Sequence, residues 1–121
     1  MTVVDQIKQH YENVVSKTWN FSGRLTTKND HFSNAAIGLA SEAGEVADVV
    51  KKMLYHSEKP FEFMRAKIVL ELGDVVYYML KLMELFQISM EEIIDLNREK
   101  LESRHPELGK VTERFGKDAI K

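Results

Sequence analysis

Residues 69–86, VLELGDVVYYMLKLMELF, decide how this chain folds. From Val75 onward the segment is apolar on nearly every side, so as a helix it must be surrounded by protein. Glu71 and Asp74 interrupt it with i,i+3 spacing, which puts two carboxylates on one helix face. At about 100° of turn per residue, Glu71 falls mid-stripe, flanked by Val75, Tyr78 and Leu82. The upstream stretch 40–50, ASEAGEVADVV, repeats the anomaly: Glu42 and Glu45 share a face, and Glu42 projects among Val46, Val49 and Met53. An ionised carboxylate on a core-facing stripe is costly by several kcal/mol unless it is paired or coordinates a metal. The same anomaly on two helices implies that the carboxylates meet around something cationic. A Lys or Arg partner is the alternative to a metal.

Outward from these two segments, the chain reads as four helices. Thr2 caps a first helix over 3–17, with Val4, Ile7, Tyr11, Val14 and Val15 at helical spacing. Residues 18–29, TWNFSGRLTTKN, break the pattern and read as a loop. Its aromatic pair, Trp19 and Phe21, either stacks on a nucleobase or plugs the end of the bundle, the latter being the reading for Phe21. Asn29 or Asp30 caps a second helix over 30–55, and Pro60 suits the first turn of a third over 60–86. Ser89 and Glu92 form a capping box for a fourth over 90–104, ended by His105-Pro106. Residues 107–121 are polar and read as a tail, mobile or docked on a partner. No segment has the period-2 signature of a strand. The expectation is one all-α domain over 1–121, a four-helix bundle.

Composition narrows the function classes. A net charge of −2 gives no global basic field for a nucleic acid polymer. The absence of cysteine excludes disulfides and thiolate metal sites, and fits a reducing cytoplasm. The N-terminus does not read as a signal peptide, and no apolar run is long enough to span a membrane. The over-apolar third helix argues against a monomer.

Face by face, the second helix has a solvent arc of Gly44, Asp48 and Lys51, and an intermediate stripe of His31, Asn34, Gly38, Glu45 and Lys52. That stripe reads as one wall of a polar cleft or as a solvated border in which Lys52 complements Glu45. Gly38 and Gly44 each cost helix propensity of about 1 kcal/mol; close packing, or else room for a ligand, accounts for them, and Gly73 implies close approach of another backbone. On the fourth helix, Asn97, Lys100 and Arg104 form a stripe that suits phosphate groups, or that snorkels at the core rim. Oxygen-only ligands select Mg²⁺, with Mn²⁺ able to substitute, and Mg²⁺ works with few carboxylates plus substrate phosphates.

Two E-x-x-[ED] elements separated by 25 residues, with the words SEAGEVADVVKK, ELGDVVYYM and then NREKLESRHP, resemble the MazG-like nucleoside triphosphate pyrophosphohydrolases over about residues 30–106. The resemblance implies an all-α fold assembled as a homodimer or homotetramer, and Mg²⁺-dependent cleavage of (deoxy)nucleoside triphosphates between the α- and β-phosphates. It also implies a role in house-cleaning or regulation of nucleotide pools. Carried over by position, Glu42, Glu45, Glu71 and Asp74 ligate the metal. Lys52, Asn97, Lys100 and Arg104 contact phosphates or sugar, and Asn34 and Trp19 lie on the base side. Glu45 is the first choice for the carboxylate that orients or deprotonates the attacking water. Two other classes compete. A ferritin-type di-iron bundle needs Glu-x-x-His on two helices, and Glu102-x-x-His105 is the single match. A non-enzymatic helical oligomerisation module explains the apolar third helix but not Glu42 and Glu71.

Overall fold

The computed structural model describes residues 1–56 and 58–108. It is all-α, with no strand among the described residues. Helix α1 (Val3–His10) runs on through a π-helical segment, Tyr11–Val15, and one further turn, Ser16–Thr18. Helices α2 (Lys28–Tyr55), α3 (Phe61–Phe86) and α4 (Met90–Arg104) follow. The chain divides into two compact units, Met1–Gln87 and the part from Ile88 onward. Residues 109–121 of the expected tail lie outside the described residues.

The caps explain where the helices begin. Thr2 accepts from the Asp5 amide while the Asp5 side chain accepts from the Thr2 amide, two orphan donors satisfied reciprocally. The same box opens α2, but from Thr27 and not from Asn29 or Asp30 as expected: Thr27 accepts from the Asp30 amide at 3.1 Å. Asp30 sits at the third helical position and its carboxylate gathers the amides of Thr26 and Thr27 at 3.0 Å each, which lowers its pKa. Pro60 stands just before α3 as its N-cap. Ser89 accepts from the Glu92 amide to open α4. Gln87 closes α3 in the left-handed region at φ 55°.

The π segment was not anticipated. Thr18 and Ser16 donate to the carbonyls of Val14 and Glu12, one turn back, a competing bond pattern that distorts helices. The segment packs on α3, and Val15 within it is fully buried.

Helices α2 and α3 form an antiparallel hairpin, shown by three contacts whose numbers fall on one as they rise on the other. Phe32 meets Phe86 edge to face, Gly38 meets Tyr78, and Glu42 meets Glu71 and Asp74. Trp19, Ala35, Val49, Met64, Leu80 and Met83 join Val15 in the core.

One expectation is corrected here. Phe21 does not plug the bundle: it is 91% exposed, and Trp19 is buried in its place. From Val75 onward the third helix is mostly buried or half-buried, as its apolar sequence requires, and Val76 and Phe86 are its exposed apolar residues there. Ahead of that stretch Val69, Leu70 and Leu72 are exposed, Leu70 to 72%.

Candidate active site

The hairpin register places one acid of α2 against two of α3. Glu42, Glu71 and Asp74 each offer one carboxylate oxygen, and these lie within 4.8 Å of one another. No other group of three or more potential ligands was found among the described residues. Glu42 and Glu71 are half-buried and Asp74 is exposed, so the cluster opens to solvent on the Asp74 side. Val46, Met53, Val75 and Leu82 are half-buried and Val49 is buried, as the apolar flanks of the two glutamates require.

The electrostatics follow from the crowding. Burial, then the charges of Asp74, Glu71 and Glu45, push the Glu42 pKa up. Burial raises Tyr78 as well, with the nearby Glu42 carboxylate adding to it. Among the described ion pairs no Lys or Arg reaches Glu42, Glu71 or Asp74. A divalent cation held by hard oxygen donors would remove the repulsion, so this donor set fits the metal that the sequence called for.

A raised carboxylate pKa has a definite sign in the stability of the metal-free protein. Glu42 binds its proton more tightly folded than unfolded. Its contribution is therefore complete below the ordinary glutamate value of 4.5 and is lost as pH rises through the raised value. Metal binding requires the ionised form. Mg²⁺ should then leave Tm almost unchanged near pH 4 and raise it by several degrees at pH 7.5, since a ligand at 100 times its Kd adds about 2.7 kcal/mol. Scanning fluorimetry with Mg²⁺ or EDTA across that range reads the difference.

Glu45 is exposed and is not one of the three converging acids, although its charge is felt at Glu42. Lys52 pairs with Asp48 at 2.8 Å, one turn away, rather than with Glu45. That pair lowers Asp48 and raises Lys52. Asp48, expected on the solvent arc, is half-buried and also feels the charge of Lys67 on α3.

Beyond Glu42 lies an aromatic cluster that sequence reasoning did not assemble. Trp19 donates its indole N–H to His31 Nδ1 at 2.9 Å, which fixes His31 as the tautomer protonated on Nε2. Tyr77 and Tyr78 pack on the Trp19 ring at 6.2 and 5.8 Å, and the Lys81 ammonium stands 5.3 Å from it. Thr18 uses its proton on Val14, so the Tyr77 hydroxyl is the donor in their 2.7 Å bond. Asn34 lines a separate cavity of about 270 Å³ with Arg24, Leu25, Asp30, Ser33 and Ile37. The Asn20 side chain shapes the loop beside it by bonding both the amide and the carbonyl of Leu25. Asn97, Lys100 and Arg104 are exposed on α4, in the second unit. His105 approaches Glu107 at 3.2 Å, and no histidine belongs to the ligand cluster, which removes the basis for a di-iron centre among the described residues.

The model of the MazG nucleotide pyrophosphohydrolase domain matches residues 31–109. The chain is also 34% identical over 73 residues to the "Gene 37 protein" of Mycobacterium phage L5, a match covering 60% of this chain and 64% of that protein. No solved structure matches.

Proposed function

Because the chain belongs to the MazG nucleotide pyrophosphohydrolase family, we propose that it hydrolyses (deoxy)nucleoside triphosphates between the α- and β-phosphates. The products are a nucleoside monophosphate and pyrophosphate, and the role is house-cleaning or regulation of nucleotide pools. The observation that carries the reading is the convergence of Glu42, Glu71 and Asp74 from two helices. The family match also runs across the boundary between the two compact units, which supports one functional domain over 1–121.

Bound Mg²⁺, or Mn²⁺ in its place, would offset charge on the phosphates and lower the pKa of a water. The protein's own groups do the rest. Glu42, Glu71 and Asp74 would hold the cation, with Glu45 completing the set or turning the water towards the α-phosphorus and taking its proton. The water oxygen bonds to that phosphorus as the bond to the bridging oxygen breaks, and the electron pair leaves with pyrophosphate. Lys52, Asn97, Lys100 and Arg104 neutralise outer phosphates or meet the sugar. Asn34, in its own cavity, and Trp19, buried against Tyr77 and Tyr78, remain the base-side candidates. The lack of any helix long and apolar enough to cross a membrane among the described residues, together with the lack of cysteine, supports a cytoplasmic setting.

Incubation with Mg²⁺ and a panel of canonical and modified nucleotides tests the reading. Monophosphate plus pyrophosphate is expected. Diphosphate plus inorganic phosphate contradicts the bond assignment, and no turnover of any nucleotide favours the interaction module.

The exposed apolar row Val69, Leu70, Leu72 and Val76 supports a homodimer or homotetramer that covers it. Leu70→Glu should lower the oligomeric state by at least twofold in sedimentation velocity. An unchanged sedimentation coefficient would mean that this row is not the interface.

A further inference from the structure

The α2–α3 groove has a direction. On α2, Gly38, Glu42, Glu45, Val49, Lys52 and His56 follow one another at spacings of three or four and share a face. On α3 the matching series is Tyr78, Asp74, Glu71, Lys67 and Phe63. The contacts of Gly38 with Tyr78, and of Glu42 with Glu71 and Asp74, lock the two series together. Lys67 therefore stands one turn beyond Glu71 towards the hairpin connection, a rise of about 6 Å. On the opposite side of the carboxylates, also one turn away, Tyr78 begins the aromatic cluster with Trp19 and Tyr77.

The hairpin end is built of cations around a hollow. Lys52, His56, Lys59, Phe63, Met64 and Lys67 line a cavity of about 330 Å³. The ammonium groups of Lys59 and Lys67 lie 5.3 and 5.6 Å from the centre of the Phe63 ring. Met64 beneath is buried and gives the hollow a fixed floor. Between residues 51 and 67 the chain carries five Lys or Arg and two Glu, in a protein of net charge −2. Asp48 is the partner of Lys52 and its charge also reaches Lys67, while among the described ion pairs none involves Lys67. Two ammonium groups flank one ring, and an anion of several charges held in the cavity they line is attracted to both.

We propose that this cavity is a pyrophosphate site, with Lys67 as its central contact. In the pyrophosphohydrolase reading, on which this orientation rests, a nucleotide lies with its base towards Trp19 and Tyr78. Its α-phosphate then lies at the carboxylates and its β- and γ-phosphates at Lys67, Lys52 and Lys59. The cations sit where negative charge accumulates as the bond to the α-phosphorus breaks, which is where such groups are worth most. Phosphate chemistry also explains why lysines and not arginines line a hollow that must release its product, since an ammonium binds phosphate as a point charge without the bidentate fork.

The test uses Lys67→Gln, Lys67→Arg and the wild-type chain, each titrated calorimetrically with inorganic pyrophosphate and, separately, with a nucleoside monophosphate, both with Mg²⁺. Lys67→Gln should weaken pyrophosphate binding at least tenfold and leave monophosphate binding and Tm unchanged. Lys67→Arg should recover most of the affinity. Where turnover is measurable, Lys67→Gln should also raise the inhibition constant of pyrophosphate by the same factor. Pyrophosphate binding as tight in Lys67→Gln as in the wild type overturns the site. A wild-type chain that binds pyrophosphate through Lys67 but cleaves no nucleoside triphosphate keeps the site and removes the pyrophosphohydrolase reading instead.

Discussion

Glu71→Gln should lower turnover by about 10³-fold or more, a loss of about 4 kcal/mol of transition-state stabilisation, with the helical circular dichroism unchanged. The substitution keeps the shape of the side chain and removes one charge from the three converging carboxylates. A neutral amide oxygen holds a hard divalent cation less tightly than a carboxylate does, so in the proposed mechanism both the metal and the water it would activate are affected. The same change relieves repulsion on Glu42, whose pKa Glu71 helps to raise. Melting temperature in EDTA should therefore hold or rise while activity collapses, the opposite pairing to that of a folding defect. Retention of full activity would remove the cluster from the chemistry. Glu45→Gln separates its two candidate roles. A metal ligand would lose the Mg²⁺-dependent rise in Tm together with activity. A residue that only orients water would lose turnover and keep that rise.

The legibility of the fold followed the strength of the local signals. Periodicity and the capping residues Thr2 and Ser89 located the helices to within a few residues, because caps and apolar stripes act over one turn. The start of α2 was misjudged because Thr27, Asn29 and Asp30 are all good caps. What decides among them is the reciprocal bond between Thr27 and Asp30, a property of the pair. The carboxylate cluster was legible because a charge in an apolar stripe is anomalous in one dimension. The aromatic cluster was not, since choosing which of Trp19 and Phe21 turns inward depends on the π segment, which shifts the phase of everything after Val15. Lys59 and Lys67 gave no signal either: a lysine on a helix surface is ordinary until the hairpin register brings several to one ring.

Gly38→Ala should destabilise the protein by about 2–3 kcal/mol, the upper range for overpacking, and lower Tm by roughly 10 °C. A Cβ at this position would stand 2.2 Å from a carbon of the Tyr78 ring, far inside contact distance. A free tyrosine could turn aside at little cost. This ring is held edge to face against Trp19 at 5.8 Å and Tyr77 at 5.2 Å, and Trp19 is itself tethered to His31. The helices must then move apart, and the contact lies one turn from Glu42 on α2 and one turn from Asp74 on α3. A shift of even part of an ångström at that level spreads the three oxygens, so metal affinity and turnover should fall along with Tm. Gly44→Ala is the matched control. Nothing lies within 4 Å of a Cβ there, so the better helix propensity of alanine should stabilise by about 0.5–1 kcal/mol. A double-mutant cycle with Tyr78→Ala isolates the clash. With the ring removed, Gly38→Ala should lose its penalty and take the sign of Gly44→Ala. A Gly38→Ala protein as stable as wild type, with Tyr78 intact, would mean that this contact does not set the register that gathers Glu42, Glu71 and Asp74.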